Sequence, residues 1–191
     1  KFWKEFQTKH WLPRIPTVLR NPFKDFPFTE ELLLHAMQNV EADLQAGDTR
    51  KDVMVSIGDK MQPPAKPLRK VFEHPSESLD ELEATCRKIF PKKNFGVITT
   101  NIHSSHPIFW NAVAAFLQDA RNTIDFPVPR AFMDLFYGRY ESSFTALHKD
   151  TQEIFGFVFK GEKRMLAWPF EYFLDKLDEV EIGDRYANKR L

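Results

Sequence analysis

Thr145-Ala146-Leu147-His148-Lys149-Asp150-Thr151-Gln152-Glu153-Ile154-Phe155-Gly156-Phe157-Val158-Phe159-Lys160-Gly161-Glu162-Lys163-Arg164-Met165-Leu166-Ala167-Trp168-Pro169 is the stretch on which the fold turns. Glu153 to Phe159 and Lys163 to Trp168 are strand-like runs, and Lys160-Gly161-Glu162 between them suits a tight hairpin. Ser143 to His148 reads as a further strand, and Ala131 to Tyr137 as another before it. Pro169 closes the series, and Phe170 to Val180 reads as helix. On an extended strand, alternate residues share a side. His148 and Asp150 therefore aim an imidazole and a carboxylate at one point, while Lys149 turns away.

Working outward, the upstream part has a different character. Phe2 to Phe6 suits a short amphipathic helix, and Arg14 to Arg20 suits a strand. Thr29 is placed to cap a helix carrying Leu33, Met37, Val40 and Leu44 on one stripe, with Gly47 as its stop. Asp52 to Ile57 is strand-like, and the proline-rich Met61 to Pro67 is a loop. Ser78 followed by Glu81 has the form of a capping box, opening a helix with Leu82 and Ile89 inward. Phe95 to Thr99 is strand-like, and Pro107 opens a helix with Phe109, Val113, Phe116 and Ala120 on one stripe. Helices followed by dense strands indicate an α+β fold class. A single domain over 1–191 is expected, with a helix-rich part over 1–125 and antiparallel strands over 126–191.

Composition narrows the function. The 27 basic residues equal the 27 acidic ones, so the basic excess of a general nucleic-acid binder is missing. Lys66, Arg69 and Lys70, like Arg87, Lys88, Lys92 and Lys93, make small clusters that suit a solvated face. The 19 phenylalanines suit sheets packed face to face. Cys86 is the only cysteine, which excludes an intrachain disulfide and a cysteine-based zinc site; its helical surroundings suit a buried thiol. A lone thiol fits a reducing, intracellular and cytoplasmic setting, with the nucleus left open. No apolar run reaches the roughly 20 residues of a membrane helix.

An imidazole and a carboxylate suit Fe(II), and a facial set of two histidines and one carboxylate leaves positions for cosubstrate and oxygen. Alone, His-x-Asp is a common pattern that a hydrogen-bonded pair on a strand explains better. The whole run from His148 to Phe173 carries more. It resembles the JmjC-type, cupin-like 2-oxoglutarate oxygenases, on the branch of the asparaginyl hydroxylase called factor inhibiting HIF. That branch has a His-x-Asp strand, an aromatic strand, a Lys-Gly-x-Lys-Arg hairpin, and a strand ending in proline. Phe2-Trp3 and Pro16 to Arg20 loosely resemble the start of many cupin-like members.

The resemblance implies a double-stranded β-helix (jelly-roll) core, with Fe(II) as metal and 2-oxoglutarate as cosubstrate. His148 and Asp150 match the first two metal ligands. Lys163 matches the hairpin lysine that binds the far carboxylate of 2-oxoglutarate, and Thr145 the hydroxyl beside it. The chemistry agrees, because a dianion chelated at one end needs a cation at the other. The implied reaction is hydroxylation of a C–H bond in a protein side chain, peptide, amino acid or related small molecule, or demethylation by that route. Tyr137, Arg139 and Tyr140 are candidates to line a pocket, although core packing explains the tyrosines equally well, and Trp168 suits core. A homodimer is compatible; nucleic-acid or membrane partners are not expected.

The sequence departs from the pattern in two respects, one being that no later strand set to close a jelly roll is read after Phe173. The third ligand, a distal histidine, is not present after His148; His10, His35, His74, His103 and His106 all lie upstream. The expectation is a domain incomplete at its C-terminus, the alternative being a relative without activity that serves as a binding or dimerisation module. A cupin enzyme that does not use 2-oxoglutarate is a further alternative. His103 and His106 have a metal-binding spacing, but capping or surface roles suit them better.

Overall fold

A computed structural model of the chain describes residues 2–12, 16–23, 28–47, 53–58, 60–62, 71, 76–91, 94–124, 131–141, 153–169 and 171–172. The chain divides into two compact units, Lys1–Arg139 and Tyr140–Leu191. The first is an α+β unit. In order it holds α1 (Phe2–Phe6), a π-helical turn (Gln7–Trp11), α2 (Glu30–Gln45), β1 (Val53–Ile57) and β2 (Lys60–Gln62). There follow α3 (Leu79–Ile89), β3 (Phe95–Thr99), a 3-10 turn (Ile102–Ser105), α4 (Pro107–Ile124) and β4 (Leu135–Arg139). The strands form one antiparallel sheet in the order β2-β1-β3-β4. Val55 stands beside Val97 and Val97 beside Tyr137, so these side chains share a face.

Helix α2 forms where the cap and the apolar spacing place it. The Thr29 hydroxyl accepts a bond from the Leu32 amide at 3.1 Å, and Gly47 turns away with φ +83°. Leu33, Met37 and Val40 are buried as their spacing requires; the Leu44 side chain lies outside the described residues. Leu32, Leu34 and Ala36 are buried too, so the apolar surface is wider than one stripe. Its polar residues reach across to neighbouring segments. Glu30 accepts from the Leu79 amide, Gln38 donates to the Ser76 carbonyl, and Asn39 donates to the Ser105 carbonyl, each at 2.9 Å.

Helix α3 starts at the capping box. The Ser78 hydroxyl accepts from the Glu81 amide at 3.2 Å, and the Glu81 carboxylate returns to the Glu77 amide at 2.8 Å. Ser78→Ala should lower stability by about 1 kcal/mol, with Ser78→Asp restoring most of it; urea unfolding midpoints measure both. Helix α4 buries Phe109, Val113 and Ala120. Its half-buried Phe116 meets Trp3 at 5.2 Å and Phe23 at 6.0 Å, which ties α1 to this helix through edge-to-face rings.

Four expectations are corrected. Residues 16–20 are irregular and exposed rather than a strand, since Pro16 lacks a donor for a ladder; residues 14 and 15 lie outside the described set. Met61 and Gln62, expected in a loop, pair with Ser56 and Val55 after a turn at Gly58, where φ is +60°. The strand expected at Ala131 starts at Leu135 instead. The reason is that Met133 and Asp134 serve the turn after β3: the Met133 carbonyl accepts from the Ile102 amide, and the Asp134 carboxylate from the Asn101 amide. Glu153–Phe159 and Lys163–Trp168 form no ladder with one another among the described residues.

Candidate functional site

Lys163 is the one residue of the expected site that falls within the described set. It belongs to the second unit, whose described residues are Tyr140, Glu141, 153–169, 171 and 172. Residues 153–159 alternate in exposure: Phe155, Phe157 and Phe159 are half-buried, while Ile154, Gly156 and Val158 are exposed. Period-two burial is what an extended segment with one packed face produces. The chain then bends at Lys160 and Gly161, where Gly161 has φ +73°, a conformation that favours glycine. Lys163 follows the bend at an exposed position. Partial shielding of its ammonium from water holds its pKa below the usual lysine value. After Pro169, the Tyr172 amide closes a short turn on the Pro169 carbonyl at 3.1 Å, the only described part of the expected 170–180 helix.

Thr145, His148 and Asp150 lie outside the described residues, as does the expected strand at 143–148. The donor set itself fits the metal it is expected to hold. Neutral imidazole and carboxylate are ligands Fe(II) accepts, and an ammonium with a nearby hydroxyl suits the free carboxylate of an oxo-diacid. Trp168, expected in a core, retains 36% of its exposure.

The pocket candidates fall in different places. Tyr137 points from β4 among aromatic and α3 side chains, with its ring 6.1 Å from Phe95. Its hydroxyl is buried with no hydrogen-bond partner among the described residues. Burial first, then the proximity of Cys86 and the carboxylates of Glu83 and Asp80, pushes the phenol well above its usual range. Packing is therefore the role of Tyr137, as one of the alternatives held. Arg139 on the same strand is exposed. Tyr140 opens the second unit, with burial raising its pKa.

Cys86 is fully buried on α3, and desolvation aided by Glu83 pushes its thiol up to about 12. A thiol held protonated is inert, as its helical setting suggested. The linkage has a definite sign. Unfolded, Cys86 loses its proton near its ordinary pKa of 9.0; folded, it keeps it to about 12. Stability should fall as pH rises across that window, because the unfolded state then binds fewer protons. Tyr137, also raised, steepens the fall above pH 10. Tyr137→Phe should flatten this slope. It should also stabilise the protein at neutral pH by roughly 1 kcal/mol, because it removes a buried hydroxyl that finds no partner. Urea midpoints from pH 7 to 11 test both effects, and a loss at pH 7 would show that the hydroxyl is in fact bonded.

His103 is buried and stacks on Trp110 with ring centroids 5.2 Å apart. His106 instead faces His35 of α2, an approach that sequence spacing did not show. Among the described residues no group of three or more His, Cys, Asp or Glu converges. None of the described helices is long and apolar enough to cross a membrane. No family model, curated protein or solved structure matches the chain.

Proposed function

We propose that the chain is part of an Fe(II)- and 2-oxoglutarate-dependent oxygenase of the JmjC-type, cupin-like kind, hydroxylating a C–H bond of a protein side chain, amino acid or related small molecule. The observation that carries this is the sequence from Thr145 to Trp168, in which His148 and Asp150, an aromatic stretch and Lys163 after Lys160-Gly161 follow at the spacing of that family. Support comes from the period-two burial of Phe155, Phe157 and Phe159 and the glycine bend at Gly161, which together deliver Lys163 as a partly shielded cation. A double-stranded β-helix core is part of the same proposal.

His148 and Asp150 would hold the metal, with a third ligand still required. Lys163 and Thr145 would hold the distal carboxylate of the cosubstrate, fixing its orientation. Iron, when bound, supplies the oxygen chemistry; the protein contributes positioning and exclusion of water. Asp150 bears on the outcome, since a carboxylate at this position favours hydroxylation over halogenation.

The test is turnover of 2-oxoglutarate to succinate by the intact protein, with and without Fe(II). Iron-dependent succinate formation supports the oxygenase. Its absence at saturating iron and cosubstrate, in folded protein offered a panel of peptides and amino acids, favours a cupin-like binding or dimerisation module.

A further inference from the structure

Two histidines that the proposed oxygenase chemistry does not use meet where α2 adjoins α4. His35 is exposed on α2, and His106 ends the 3-10 turn directly before Pro107. Their rings lie 6.1 Å apart, with planes 26° from parallel. Sequence spacing would couple His106 to His103, but folding buries His103 against Trp110 and brings His35 to His106 instead. The Nδ1 atom of His106 is buried and has no hydrogen-bond partner among the described residues. Buried polar atoms in folded proteins are paired, so one without a protein partner marks a place for water or an ion.

Both imidazoles stand on fixed backbone. Asn39, one turn beyond His35 on α2, donates to the Ser105 carbonyl at 2.9 Å, and the Trp110 amide donates to the His106 carbonyl at 2.9 Å. That fixation lowers the ordering cost of closing a chelate. With metal–nitrogen bonds of about 2.1 Å, two imidazoles on one ion stand roughly 5 to 6 Å apart between centroids. The rings are stacked, so the exposed His35 side chain reorients through a change of rotamer to present a ring nitrogen to the shared ion.

The geometry points to a two-imidazole site for a borderline divalent ion, Zn²⁺, Ni²⁺ or Cu²⁺, that clips α2 to the start of α4. Imidazole suits these metals. Two imidazoles fill only part of the coordination sphere, unlike a closed structural centre of four protein ligands. It is independent of the iron proposed at His148 and Asp150.

Cu²⁺ is the probe, applied to the full chain carrying His148→Ala so that the proposed iron pair is disabled. One Cu²⁺ should bind with an electron paramagnetic resonance spectrum showing two coordinated imidazole nitrogens. His35→Gln, a change at an exposed position, should weaken binding at least tenfold and leave a one-nitrogen spectrum. His106→Gln should do the same, while His10→Gln should change neither. Zn²⁺ should raise the thermal midpoint of the parent and not that of His35→Gln. Undiminished affinity with a two-nitrogen spectrum in His35→Gln overturns the site, as does a parent spectrum already limited to one nitrogen.

Discussion

Gly138→Ala is expected to destabilise the first unit by more than about 3 kcal/mol. Gly138 lies on β4 directly opposite Gly96 of β3. A Cβ at this position would overlap the Phe95 carbonyl oxygen and stand 2.8 Å from the Gly96 Cα. Both obstacles are backbone, so no rotamer change relieves them. The φ of +156° adds strain, since side chains of L-residues seldom adopt it. Relief would require β3 and β4 to separate, breaking the pairing that joins Val97 to Tyr137. Gly156→Ala provides the comparison: a Cβ there meets nothing within 4 Å and should change stability by less than about 0.5 kcal/mol. Urea unfolding measures both. A Gly138→Ala midpoint equal to that of the parent would mean that β4 does not pair with β3 in this register.

The elements that depend on near neighbours were legible, and those that depend on distant ones were not. Ser78 and Glu81 announce the start of α3 because a capping box is complete within one helical turn. Thr29, Pro107 and the Phe95 to Thr99 run are readable for the same reason. The start of β4 was displaced because Met133 and Asp134 answer to Ile102 and Asn101, whose left-handed turn was not signalled by hydrophobic alternation. The prolines after Met61 predict a loop, whereas Gly58 turns the chain back onto β1 before them. Nothing local relates His35 to His106. The aromatic alternation and the bend before Lys163 follow from residues a few positions apart, so that part of the candidate site could be anticipated. Convergence of His148 and Asp150 with a third ligand is a long-range property that residue spacing alone does not establish.

Lys163→Ala is expected to raise the apparent KM for 2-oxoglutarate by about 100-fold or more while leaving Fe(II) affinity near that of the parent, and His148→Ala to weaken Fe(II) binding and abolish turnover. The division follows from the proposed roles. In the proposed complex the bound cosubstrate would shield its free carboxylate together with Lys163, and losses of about 3 kcal/mol are typical when one partner of such a pair is truncated, which corresponds to that fold-change. A lysine on an ordinary solvated turn would shift KM by no more than a few-fold, because exposed ion pairs contribute little. Acidity adds a second readout. Partial desolvation already holds the Lys163 pKa below the usual value. Affinity for 2-oxoglutarate should therefore weaken as pH climbs toward that lowered pKa and the ammonium loses its charge. Lys163→Arg keeps a charge that no accessible pH removes, so its profile should stay flat over the same range, at a reduced affinity set by the altered geometry. Initial-rate measurements across 2-oxoglutarate concentration and pH, paired with iron binding for each variant, separate the cases. Equal KM values for Lys163→Ala and the parent would remove Lys163 from the cosubstrate site, and parent activity independent of 2-oxoglutarate would leave a metal enzyme of another kind.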